Sequence, residues 1–354
     1  MIASRDRILS YIVTDIYIFS ALPISRHSAG QGSMASISDI TKYLAHLTLE
    51  GVSHLNIELG NGAYGKVVTV KYRGTTYAAK EIHSILIQYA NKEEREIINK
   101  DFLRECYYCS KLYHPNIVGF KGIWRRDESS FPVMVMELME DSLTNYVKNR
   151  ALDMVTKISI LHDVSCGLNY LHSYTPNPII HRDLSPNNVL LVLRDQKPIA
   201  KLSDLGVAKV VKADSRATKN VLTKAPGTVD FMPPEALVEN PNYTTSLDVF
   251  SYGGIILHVV NQEWPTPSSQ VQRDSLYRLL PALSEIERRQ KHLDKMSGVA
   301  NVLEHLVIAC LDDNPNNRPA IATVLKIVKF LMVSWSSYNN CMHIVVLLLT
   351  TEVR

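Results

Sequence analysis

From about Val52 the chain alternates short apolar runs with turn signals, and after Glu140 its apolar positions recur three and four residues apart. Leu55-Asn56-Ile57, Lys66-Val67-Val68-Thr69-Val70 and Thr76-Tyr77-Ala78-Ala79-Lys80 predict strands, with Tyr72-Arg73-Gly74-Thr75 as the turn joining the last two. A charged stretch from Asn91 to Leu112 predicts a helix, and Val133 to Leu138 a further buried strand. Leu161, Val164, Leu168 and Leu171 fall on one helical face. Val249 to Val260 is nearly all apolar, the pattern of a helix enclosed by its own domain. Leu303, Leu306, Val307 and Cys310, then Ile321, Val324, Leu325 and Val328, predict two more amphipathic helices. Strands followed by helices predict an α+β domain: a small antiparallel sheet lobe over residues 52–139 and a large helical lobe over 140–333, with a cleft between them.

The two ends do not share this texture. Ile8 to Leu22 is largely apolar and follows Arg5 and Arg7, but Asp15 lies in its middle, where a carboxylate costs about 2.5–3.5 kcal/mol on insertion scales. A leader or surface-packed segment is expected there and not a membrane anchor. Ser28 to Ser38 reads as a flexible linker, so residues 1–51 are expected to be leader and linker. Ile344 to Leu349, in the tail 334–354, is far shorter than the roughly 20 apolar residues a membrane-spanning helix needs.

Composition narrows the partners. Thirty-eight Lys and Arg against 35 Asp and Glu give a net charge of +3, so nothing calls for a nucleic acid or an anionic membrane. Five cysteines, odd in number and scattered, argue for reduced thiols and a cytoplasmic setting. The pair Cys106 and Cys109 has redox or zinc spacing, but no second pair exists, and core packing within a helix is the expected role.

Chemistry concentrates in four places. Gly60-Asn61-Gly62-Ala63-Tyr64-Gly65 gathers three of the chain's 15 glycines, and glycine lets a backbone approach phosphate oxygens closely. The β-like run after it contradicts a dinucleotide-binding turn, which would lead into a helix. Lys80 closes an apolar strand, and an ammonium buried there needs an anionic partner. Glu105 is favoured over Glu93, Glu94 and Glu96, because it precedes the helix-ending turn His114-Pro115-Asn116 by nine residues. His181-Arg182-Asp183-Leu184-Ser185-Pro186-Asn187-Asn188 fixes a carboxylate and an amide five residues apart in a loop. Asp204, in Lys201-Leu202-Ser203-Asp204-Leu205-Gly206, is a second acidic group at the end of an apolar strand, and Asn188 with Asp204 offers two hard oxygen donors suited to Mg²⁺ bridging phosphates.

In this order and spacing the segments resemble the catalytic domain of eukaryotic protein kinases over about residues 52–333. Pro233-Pro234-Glu235, the helix beginning Asp248-Val249-Phe250 and Arg318 in Asn316-Asn317-Arg318-Pro319 extend the likeness. The resemblance implies a two-lobed kinase fold with ATP and Mg²⁺ in the cleft and a protein substrate beside them. It implies that Gly60, Asn61, Gly62 and Gly65 cover the phosphates, that Lys80 held by Glu105 positions them, and that Asn188 and Asp204 bind the metal. It assigns Asp183 to the acceptor hydroxyl and its proton. Val67, Ala78 and Leu190 would line the adenine pocket, with Met136 as gatekeeper and the backbone of Glu137 and Met139 at the adenine edge. Met134 is expected to be plain core filling. Cys109 would be a buried spine residue, and Arg318 would form a buried pair with Glu235.

Two departures qualify the likeness. Leu205 replaces the phenylalanine that usually follows the metal-binding aspartate, which is expected to alter the poise between active and inactive states. Ser185 stands where serine/threonine kinases usually carry a lysine, removing one cation from the transition state. This combination, with Thr228 in Gly227-Thr228-Val229, is most similar to the tyrosine-kinase-like group and points to serine/threonine specificity over tyrosine or dual specificity. Arg182 is expected to receive an activation-loop phosphate carried by Thr218 or Thr223. The rival readings are a pseudokinase scaffold and a membrane receptor kinase; a monomer or transient dimer is expected.

Overall fold

The computed structural model describes residues 36–61, 65–127, 130–175, 178–205, 229–236, 244–262 and 301–335. The apolar runs at 8–22 and 344–349 and the candidates Gly62, Thr218, Thr223 and Thr228 lie outside them.

The fold begins earlier than the linker expectation allows. Helix α1 (Ile37–Ala45) is opened by Ser36, whose hydroxyl accepts the Asp39 N–H at 3.2 Å, and it buries Ile40 and Leu44. Strands β1 (Ser53–Asn61), β2 (Gly65–Tyr72) and β3 (Thr75–Ile82) follow. Arg73 and Gly74 both take positive φ, the geometry of a two-residue hairpin turn, at the place the sequence predicts one. After the short α2 (Ser84–Tyr89) comes α3 (Lys92–Lys111), whose start is locked by a capping box between Asn91 and Glu94. Strands β4 (Phe120–Trp124) and β5 (Val133–Met136) complete an antiparallel sheet of order β1-β2-β3-β5-β4.

Alternation along this sheet gives it two unlike faces. Val68, Val70, Ala79, Val133 and Val135 form a buried cluster on one side, with Leu49 and Val52 packed against it. Cross-strand pairing of Val67 with Lys80, Ala78 with Met136 and Lys80 with Met134 puts all five on the other side.

The second portion holds β6 (Asp141–Ser142), α4 (Leu143–Asn149), α5 (Met154–His172), and the hairpin of β7 (Val189–Arg194) and β8 (Lys197–Leu202). Among the described residues it continues with helices α6 (Ser246–Asn261), α7 (Asn301–Cys310) and α8 (Ile321–Trp335). Every residue of α6 from Leu247 to Val260 is buried. Leu161, Val164, Leu168 and Leu171 are at most 1% exposed, so their common face is the core face, each side chain contributing about 1.5–3 kcal/mol. In α8 Ile321, Val324 and Val328 are buried as expected, but Ile327 takes the remaining core place and Leu325 is only half-buried. Among the described residues no helix is long and apolar enough to cross a membrane.

The portions are joined behind the cleft. Asn116, just beyond α3, donates its amide to the Ala200 carbonyl at 2.9 Å and accepts the Leu202 N–H at 2.9 Å, while Val118 donates to the Leu202 carbonyl. The chain after α3 is thus fastened to β8, the strand that delivers Asp204.

Candidate active site

The unlike faces of the sheet decide what the cleft contains. Val67 and Met136 stay partly exposed there, Ala78 is buried between them, and Met134 is enclosed at 3% exposure, the core filler expected of it. Across from them, Val189 and Leu191 point into the helical core, so alternation turns Leu190 the other way, half-buried. The backbone N–H of Glu137 already donates to Gly119 O at 2.8 Å, which leaves its carbonyl as the group available at an adenine edge. Met139 follows two residues later, half-buried.

Gly60 and Asn61 pair with Val67 and Lys66 at the mouth of the β1–β2 hairpin. The glycines differ in what they require. A Cβ on Gly60 would meet nothing within 4 Å, whereas one on Gly65 would lie 2.1 Å from the Glu81 carbonyl of β3. Gly65→Ala must therefore push β2 off β3 at the root of the loop. It is expected to cost about 1–3 kcal/mol in a denaturant titration, with weaker ATP binding, while Gly60→Ala leaves stability unchanged.

Glu105, 4% exposed on α3, is the partner of Lys80: the ammonium lies 2.6 Å from its Oε1 and 2.9 Å from Asp204 Oδ1. The competitors are otherwise committed, since Glu94 closes the capping box and Glu93 and Glu96 are exposed. Burial pulls the Lys80 pKa down, but Asp204 and Glu105 together outweigh it, holding the amine well above its ordinary range and protonated.

The loop bearing Asp183 is hung from a single buried carboxylate. Asp248, fully enclosed on α6, accepts the N–H of His181 at 2.8 Å and of Arg182 at 2.9 Å, with His172 Nε2 2.8 Å away. Arg182 is thereby held at φ +67°, and Asp204 stands at φ +52°; backbone in this region costs about 1–3 kcal/mol and persists where surroundings over-determine it. His181, with no exposed surface, has Nε2 3.0 Å from the Ser203 carbonyl and so spans the two acidic segments.

Asn188 joins them from the other side. Its amide nitrogen donates to Asp183 O at 2.7 Å and to Asp183 Oδ2 at 3.0 Å, and its carbonyl accepts from Ser203 N–H and Oγ–H at 2.9 and 3.0 Å. With the amide nitrogen spent on Asp183, the Oδ1 end of Asn188 is its remaining acceptor. That oxygen and the 44%-exposed Asp204 carboxylate form an oxygen-only donor set, which fits a Mg²⁺ ion completing its coordination with phosphate and water.

Ser185 is 1% exposed and its carbonyl accepts the Asn188 N–H, so it closes the loop and supplies no cation. Leu205 is 3% exposed within the helical core. Cys106 is buried and Cys109 partly so, both within α3, and burial pushes both thiols well up, as packing residues require. Arg318 and Glu235 form the expected pair, with no exposed Arg318 side-chain surface.

One element of the site escaped the motifs. Lys201 on β8 binds both carboxylate oxygens of Glu137 at 2.7 Å, and Glu137 Oε2 also accepts the Gly119 N–H at 3.1 Å. The signal is present in the sequence: a lysine in an apolar strand needs an anion, as Lys80 does.

Residues 53–330 match the protein kinase domain family, and the chain belongs to it. Family membership implies ATP and a divalent cation as its working ligands and protein substrates as its targets. The chain is 30% identical over 271 residues to serine/threonine-protein kinase VIK of Arabidopsis thaliana, covering 76% of this chain and 57% of that protein. It is 31% identical over 275 residues to the probable serine/threonine-protein kinase kinX of Dictyostelium discoideum, covering 77% and 23%. It is 28% identical over 329 residues to human serine/threonine-protein kinase TNNI3K, covering 86% and 37%. The chain thus spans little more than half the length of these relatives, or less.

Proposed function

We propose that this chain transfers the γ-phosphoryl group of ATP to serine and threonine hydroxyls of proteins, as a member of the tyrosine-kinase-like group. The observation that carries the reading is the convergence of Lys80, Glu105 and Asp204, from β3, α3 and the end of β8, within hydrogen-bonding distance of one ammonium.

Lys80, permanently charged, presents its ammonium to the α- and β-phosphates while Glu105 keeps it from swinging away. Asp183 orients the acceptor hydroxyl and takes its proton, with its carboxylate direction fixed by the Asn188 amide. A divalent cation held by Asn188 and Asp204 would neutralise phosphate charge. Val67, Ala78, Met136 and Leu190 sandwich the base, and the glycine loop excludes water above the phosphates. Arg182 would pair with a phosphate on Thr218 or Thr223 to order the activation loop.

The acceptor class rests on the serine/threonine designation of the similar kinases. A reducing, cytoplasmic setting is part of the same proposal, supported by the free thiols of Cys106, Cys109, Cys166 and Cys310. The test is phosphoamino-acid analysis of a mixed protein acceptor after incubation with γ-labelled ATP and Mg²⁺. Phosphoserine and phosphothreonine are expected. Phosphotyrosine alone overturns the acceptor class, and absence of label from a chain that still binds ATP makes it a scaffold with the same fold.

A further inference from the structure

Residues 36–49 precede the family match, yet they are built into the sheet portion at both of their ends. At one end α1 lies along α3. Tyr43 meets Tyr107 edge-to-face with ring centroids 5.4 Å apart, and the Lys111 ammonium sits 3.6 Å from the Tyr43 ring centroid and 5.2 Å from that of Tyr107. At the other end the segment makes an isolated parallel bridge to β4, Thr48 opposite Ile123. The Leu47 carbonyl accepts the Ile123 N–H at 3.0 Å, the Leu49 N–H donates to Ile123 O at 2.8 Å, and Leu49 packs against the outer core of the sheet.

Gly122 on β4 makes room for this: a Cβ there would lie 2.6 Å from Leu47 O and 2.7 Å from the Leu49 side chain. A helix of nine residues is marginal on its own, so α1 is ordered by what it packs on. What it packs on is the helix that carries Glu105. Tyr107 follows Glu105 by two residues, about 200° around a helix, so the Tyr43 contact falls on the back of α3 while Glu105 faces Lys80.

We infer that residues 36–49 are a built-in clamp that fixes α3 from behind and thereby holds Glu105 on Lys80, with Tyr43 as its positioning residue. The inference rests on the proposed phosphoryl-transfer reading for its effect on rate, but not for its effect on the helix. The clamp reaches α3 through an edge-to-face ring pair and a cation, and reaches the sheet through backbone hydrogen bonds. Loosening either end frees the same helix without touching the cleft.

The experiment uses the full chain and two independent readouts: kcat with saturating Mg²⁺–ATP, and amide hydrogen exchange of α3 against α6. Tyr43→Ala lowers kcat about tenfold and speeds exchange in α3, with α6 unchanged. Tyr43→Phe, which keeps the ring, retains wild-type values in both. Gly122→Ala, which dislodges the other end, reproduces both changes seen in Tyr43→Ala. Wild-type exchange in α3 of Tyr43→Ala and Gly122→Ala overturns the clamp, and so does a loss of kcat without faster α3 exchange. Equal loosening of α3 and α6 overturns it as well, since that is general destabilisation. A wild-type chain inert in transfer sinks the enzymatic reading, while the exchange comparison still decides the clamp.

Discussion

Asp183→Asn lowers the single-turnover rate of phosphoryl transfer by about 10²- to 10⁴-fold and leaves ATP binding and stability near wild type. The change is isosteric and removes only a basic oxygen. Asn188 still finds an amide oxygen at position 183 to accept its Nδ2–H, and its second bond, to the Asp183 backbone carbonyl at 2.7 Å, is untouched. The loop itself hangs from Asp248 through the N–H groups of His181 and Arg182, neither of which the substitution alters. Rapid-quench measurement of labelled product, with ATP affinity measured in parallel, separates a lost proton acceptor from a disturbed site. A rate within twofold of wild type would remove Asp183 from the chemistry.

Arg318→Ala has the largest expected effect on stability, about 3–5 kcal/mol, because it removes a guanidinium with no exposed surface and leaves the half-buried Glu235 carboxylate and two backbone carbonyls without their donor. The guanidinium donates to Glu235 Oε2 at 2.9 Å, to the Asp312 carbonyl at 2.8 Å and to the Ser246 carbonyl at 3.2 Å, and it lies 4.9 Å from the Phe250 ring centroid. One side chain therefore ties the start of α6, the Glu235 turn and the approach to α8 together. Urea unfolding of Arg318→Ala, Glu235→Ala and the double variant measures it. The double variant is expected to lose clearly less than the sum of the single losses. Additive losses, or a cost below about 1 kcal/mol for Arg318→Ala, would return the pair to the class of solvated surface contacts.

The site was legible where chemistry constrains residue type and spacing together. Lys80 and Asp204 stand out because an ammonium or a carboxylate ending an apolar strand is costly without a purpose, and Asp183 and Asn188 because one loop fixes a carboxylate and an amide five residues apart. Glu105 could be chosen over its neighbours from its place in the helix, and α3 itself falls within one residue of the span its charge pattern predicts. The N-terminal clamp was not legible, because Ile40 and Leu44 have helical spacing while Leu47 and Leu49 alternate like a strand. Neither pattern runs long enough to rise above the Ser- and Gly-rich stretch before it. The Lys201–Glu137 brace was hidden differently: each residue sits inside a motif with another meaning, and only folding brings positions 64 apart in the chain together. Leu325 and Ile327 differ in burial by the angle at which α8 meets its neighbours, which apolar spacing alone leaves open.

The proposal that Lys80 and Asp204 converge on one nucleotide is tested most directly by calorimetric titration of a non-hydrolysable ATP analogue with Mg²⁺ into the wild-type chain, Lys80→Met and Asp204→Asn. One-to-one binding in the wild type, weakened about tenfold or more by each substitution, is the expected result. Equal affinity in all three proteins would mean that the amine and the carboxylate meet each other but not the nucleotide.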